Sequence, residues 1–80
     1  MQFPIHIKDI PKSKGEIIRV EITEFNGTQL LNLRGWYPTD TGEFAPTKKG
    51  VTFQWNQMAE LSEALKSAEE IFIKELGKTR

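Results

Sequence analysis

The chain reads as an α+β fold: a four-stranded antiparallel sheet followed by one long C-terminal helix, assembled as a dimer. Three observations predict it. Apolar and polar residues alternate through the first two thirds of the sequence, the period of half-buried strands. Asn26-Gly27, set between two such runs, is a strong hairpin signal because both residues tolerate positive φ. From Trp55 onward the apolar spacing changes to threes and fours, the period of one helix face.

Residues 1–14 (MQFPIHIKDIPKSK) set Phe3, Ile5, Ile7 and Ile10 among polar residues. Alternation at 3, 5 and 7 allows a short strand, and Pro4 and Pro11 confine it to a sheet edge. The segment is therefore either an N-terminal arm or an edge strand, and residues 15–80 form the single ββββα domain. After Gly15, Ile18, Val20 and Ile22 alternate with Arg19, Glu21 and Thr23. The second run covers residues 28–37, with Leu31 and Leu33 opposite Asn32 and Arg34; Pro38 ends it by lacking a ladder donor. Thr39-Asp40-Thr41-Gly42 is a turn by composition. Residues 43–45 and 49–53 read as two further short strands, broken around Pro46-Thr47-Lys48.

Met58, Leu61, Leu65, Ala68, Phe72 and Leu76 then form one helical stripe, and Gly77 is the expected stop. A helix over 55–76 would span about 33 Å, longer than a small sheet can cover. It is expected to lie on the Ile18, Val20 and Ile22 face and to pack its overhang, widened by Ile71 and Ile73, on a partner. Phe53 and Trp55 are assigned to the core.

Eighty residues make one domain, and a core this small rarely supplies more than roughly 3–5 kcal/mol, which favours self-association. The absence of cysteine excludes disulfides and thiolate metal sites. No apolar stretch approaches the roughly 20 residues of a membrane span, and the start of the chain lacks a secretory apolar region. A cytoplasmic protein is expected, with association to the nucleoid left open. Eleven Lys and Arg offset eleven Asp and Glu, so any basic surface must arise from local placement.

Catalysis is poorly served. The single histidine, His6, lies in the proline-flanked segment and reads as a solvated side chain. The glycines are too dispersed for a phosphate-binding loop, and the helix carboxylates pair with lysines three or four residues away. The chain is expected to be no enzyme and to use no cofactor, metal or small-molecule substrate.

Residues 24–51 (EFNGTQLLNLRGWYPTDTGEFAPTKKGV) instead interleave rings with cations. Rings stack on bases and cations neutralise phosphates, the chemistry that single-stranded nucleic acid requires. Strand alternation puts Phe25, Arg34 and Trp36 together on the face away from the helix. Two readings follow from that: a wet binding shelf, or Phe25 and Trp36 filling a dimer core. Lys48 and Lys49 read either as a solvated turn guarding a strand edge or as ammonium groups beside the tip at 34–37.

The series "FNG…LLNLRGWY…GEFAPTKKGVTF", followed by "QMAELSEAL", resembles the positive cofactor four family of transcriptional coactivators, and most of all its bacterial YdbC-type members. The likeness covers about residues 16–66. Its most specific part is the ordered set Phe25, Gly27, Arg34, Tyr37, Gly42, Pro46, Lys49 and Gly50. The resemblance implies a curved sheet, an intertwined homodimer and paired grooves for single-stranded DNA with little sequence preference. It places Phe25 and Tyr37 at base-stacking positions, Trp36 at a further aromatic position, and Arg34, Lys48 and Lys49 at backbone-contacting ones. Eukaryotic relatives carry extra basic residues where this chain has Glu16, Ile18, Thr23, Asn26 and Thr28, so weaker and less salt-sensitive binding is expected.

The expected function is thus non-catalytic single-stranded DNA binding in transcription regulation, replication or repair. Phe25 and either Trp36 or Tyr37 stack on bases; Arg34, Lys48 and Lys49 track phosphates, aided by Lys14 and Arg19. Strict alternation favours Trp36 and the family position favours Tyr37. RNA binding by the same fold and a protein-interaction module remain the alternatives.

Overall fold

The computed structural model describes residues 2–79. Strands β1 (Ile5–Pro11), β2 (Ile17–Phe25), β3 (Thr28–Pro38) and β4 (Phe44–Phe53) form one antiparallel sheet in chain order. A single 3-10 turn at Trp55–Gln57 then leads into helix α1 (Met58–Lys74). The β2–β3 connection is the expected two-residue hairpin: Asn26 and Gly27 adopt φ of 50° and 79°, and Phe25 pairs with Thr28.

The four strands are not the four that the sequence pattern suggests. Residues 1–14 supply an ordered edge strand, and the two short segments expected at 43–45 and 49–53 are one continuous β4. Pro46 does not break β4 because β4 is a sheet edge, where a missing N–H costs no ladder bond. Pro11 ends β1 at the opposite edge for the same reason. A bulge absorbs the irregularity: between the Arg34–Gly50 and Trp36–Pro46 pairs, residues 47–49 stand opposite Gly35 alone. A second bulge, at Ile7, shifts the register of β1 on β2.

The helix also differs from expectation. It starts at Met58 after the 3-10 turn, where Gln54 N–H donates to Gln57 Oε1 at 2.8 Å. Its end is closed by Lys78 N–H donating to Phe72 C=O at 2.9 Å. Only its first turn reaches the sheet: Met58 borders a cavity of about 190 Å³ with Ile22, Leu31 and Phe53. The rest of α1 leaves the sheet, so Ile18, Val20 and Ile22 stay half-buried rather than covered. Trp55, expected in the core, is 85% exposed, and Phe53 is half-buried. No described side chain is fully buried, and Leu65, Ile71, Phe72 and Leu76 are all exposed along the helical stripe.

Paired residues share a face, which sorts the sheet into two unlike surfaces. One carries Ile5, Ile22, Leu31 and Phe53 in one row and Lys8, Val20, Leu33 and Val51 in the next. The opposite face carries the arginines and Trp36.

Candidate nucleic-acid interface

Register aligns three successive rows on that second face. Pro11, Ile17, Trp36 and Pro46 make the first, and Asp9, Arg19, Arg34 and Gly50 the second. His6, Glu21, Asn32 and Thr52 make the third. The row that carries the Trp36 ring therefore adjoins the row of the two arginines, which adjoins a hydrogen-bonding row.

Arg19 holds the first two rows together. Its guanidinium lies 4.4 Å from the centre of the Trp36 ring and 5.8 Å from that of Phe44. Its N–H edge forks onto Asp9, with Nε to Oδ1 at 2.9 Å and Nη2 to Oδ2 at 3.2 Å. His6 Nε2 adds a contact to Asp9 Oδ1 at 2.9 Å, so the histidine has a partner where the sequence suggested none. The Arg19 bond first, then the His6 bond, lowers the Asp9 pKa to about 2; the same pairing raises that of Arg19.

Arg34 is fixed by the β4 bulge. Its Nη1 donates to Thr47 C=O at 2.9 Å, while Thr47 Oγ1 donates to Gly35 C=O at 2.9 Å and accepts from Lys49 N–H at 3.1 Å. Gly50 makes room for the guanidinium: a Cβ there would stand 2.7 Å from Arg34 Cζ. The remaining N–H donors of Arg34 have no partner among the described residues.

The two least exposed described side chains, Ile17 and Glu21 at 8% each, also lie on this face. Among the described residues no second layer of secondary structure packs on it. Within the third row Asn32 Oδ1 is buried without a partner, as is Trp36 Nε1 in the first.

The structure brings Arg19, Arg34 and Trp36 together. It sets the other expected site residues apart. Phe25, 69% exposed, shares their face but stands eight residues along β2 from the Trp36 row, about 27 Å. Tyr37 is exposed on the aliphatic side, in step with Leu31 and Leu33, because β3 runs through Gly35 without a bulge of its own. Lys49 likewise lines a hollow on the aliphatic side with Lys12, Ile18 and Leu33. Lys48 is exposed on the bulge. Lys14 is exposed in the β1–β2 turn, whose Gly15 packs near Pro38.

Phe44, Asp9 and Glu21 were not singled out from the sequence. Phe44 is reachable from pattern once β4 is taken as continuous and paired with Pro38. Glu21 falls on this face by strand alternation alone, whereas Asp9 becomes visible only with the β1 register.

A chain-ordered antiparallel sheet, a helix that departs from its last strand, and a face of arginines and rings define an open-sheet α+β protein. This chain belongs to the family described as Transcriptional Coactivator p15 (PC4), whose model matches residues 12–64. Two crystal forms of a PC4 homologue from Burkholderia pseudomallei have similar folds, with TM-scores of 0.77 and 0.74 at 24% identity. Those matches cover 82% of this chain and 89% and 97% of theirs. A bacteriophage T5 homologue of the eukaryotic coactivator PC4, implicated in recombination-dependent DNA replication, has a TM-score of 0.59 at 26% identity. That match covers 92% of this chain and 81% of the phage protein. No curated protein matches the chain.

Proposed function

We propose that this chain is a non-catalytic cytoplasmic protein that binds single-stranded DNA as an intertwined homodimer, in transcription regulation, replication or repair. One observation carries the reading: a cation row built from Arg19 and Arg34 lies against the Trp36 ring on a face that no other layer of the described residues covers. Family membership and the phage homologue's role in DNA replication support it.

On this reading the two arginines divide the labour. Asp9 takes the Nε–Nη2 edge of Arg19 and balances its charge, so that residue offers chiefly its planar surface, stacked on Trp36, to a base. Arg34 keeps free donors and takes a phosphate. Phe25 stacks a second base at the far end of the face, and Tyr37 is the alternative ring at the β3 end. Lys48, Lys49 and Lys14 follow the backbone from outside the rows.

The test is titration of the protein with oligo-dT at several salt concentrations while tryptophan emission is recorded. Contact with about four phosphates per subunit gives a log–log salt slope of roughly −3. Trp36 emission is quenched and Trp55 emission is not. Absence of binding at low salt overturns the reading. Competition between matched DNA and RNA oligomers decides between the two nucleic acids.

A further inference from the structure

The third row of the binding face carries groups that stacking and phosphate contacts leave unused. Glu21 is 8% exposed, yet it makes no hydrogen bond or ion pair among the described residues. Its carboxylate oxygens are not sealed in, so they stand at the open side of the row as free acceptors. Its neighbour in register, Asn32, buries Oδ1 without a partner, which leaves the Nδ2 donors as the open edge of that amide. Both sit one row from Arg34, where a phosphate is expected. A phosphate directly over the row would meet the charge of Glu21, so a strand crossing it is driven to present a base.

We infer that Glu21 and Asn32 form a base-reading position selective for guanine within the otherwise unselective strand. The inference rests on the proposed single-strand binding. Glu21 offers two adjacent acceptors and Asn32 offers a donor beside them. The Watson–Crick edge of guanine presents the complement, with N1–H and N2–H as adjacent donors and O6 as acceptor. Thymine offers one donor between two acceptors, and cytosine turns two acceptors toward the carboxylate. Adenine lacks the second donor on that edge. Guanine alone satisfies both side chains.

The test is a guanine scan. A short oligo-dT is compared with versions carrying a single dG at each position in turn, and with versions carrying deoxyinosine, which lacks the N2 amine. One dG position is expected to bind on the order of 10-fold more tightly than dT, and deoxyinosine there to lose most of the gain. In Glu21→Gln the ratio of dG to dT affinity falls to within about twofold, because the amide replaces one acceptor with a donor. A flat scan with the unaltered protein, or a guanine preference that survives Glu21→Gln, overturns the inference. The scan on the unaltered protein decides the matter even where the variant does not fold. Binding to oligo-dT with a flat scan overturns this inference alone; no binding to any oligomer overturns the proposed function with it.

Discussion

Arg19 stacks over Trp36 at 4.4 Å while Asp9 pairs with its Nε–Nη2 edge, so its charge and its plane are turned to different tasks. Lysine keeps the charge but has neither a plane nor a fork. Arg19→Lys is therefore expected to weaken oligo-dT binding by the worth of about one stack, roughly 1–3 kcal/mol. The salt slope should stay the same. Arg34→Ala should do the reverse in form, making the slope shallower by about 0.7 for the lost phosphate. Equal changes of slope in the two variants would refute the division of labour.

The Asp9–Arg19 pair also sets an acid limit. The Asp9 pKa falls from 3.8 to about 2 in the folded chain, chiefly through the Arg19 bond. A depressed carboxylate pKa means stability that is fully present above the unfolded value. That contribution is lost as pH falls from about 3.8 toward 2. Asp9→Asn should melt below the unaltered protein at pH 6, and the two curves should converge on acidification through this window. A constant offset down to pH 2 would mean that the pair contributes nothing through its charge.

Gly50 is expected to matter for binding more than for folding. An added Cβ meets Arg34 Cζ at 2.7 Å and Nη1 at 2.9 Å, the mobile end of a long side chain. Gly50→Ala should therefore push the guanidinium away from Thr47 at a stability change within about 0.5 kcal/mol. Oligo-dT affinity should fall several-fold. Thermal melting and titration of the same sample separate the two effects, and a large loss of stability with unchanged affinity would contradict the clamp.

What the sequence revealed and what it hid follow from the range of each interaction. The β2–β3 hairpin was legible because Asn26-Gly27 fixes its register locally, and through it the shared face of Arg19, Arg34 and Trp36. The edges were not legible. Pro4 and Pro11 are compatible with a free arm or an edge strand alike, and Pro46 with Lys48 and Lys49 looks like a break when read without its partner β3. The Asp9–Arg19 fork depends on the bulge at Ile7, which shifts β1 by one residue and has no local sequence marker. Tyr37 and Trp36 were separable by strand alternation, provided that Gly35 carried no bulge; the extra residues lie on β4 instead.

The helix carries the remaining prediction. Its stripe of Leu65, Phe72 and Leu76 is exposed, as are Val51 and Ile10 on the aliphatic face of the sheet. Contiguous apolar surface of this kind marks a site of association, and a stable interface needs roughly 800 Å² from each partner. The stripe and the aliphatic face together are the surface available for it in a chain without a sealed core. The protein should therefore sediment at twice its 9.2 kDa chain mass, and its melting temperature should rise with concentration. Leu65→Asp combined with Phe72→Asp should halve the mass and abolish cooperative melting together, since no described side chain of the protomer is fully buried. Ser67→Asp, on the far side of α1 from the stripe, should change neither. A doubly substituted chain that still melts cooperatively as a monomer would show that the sheet is stable alone and that the stripe serves another partner.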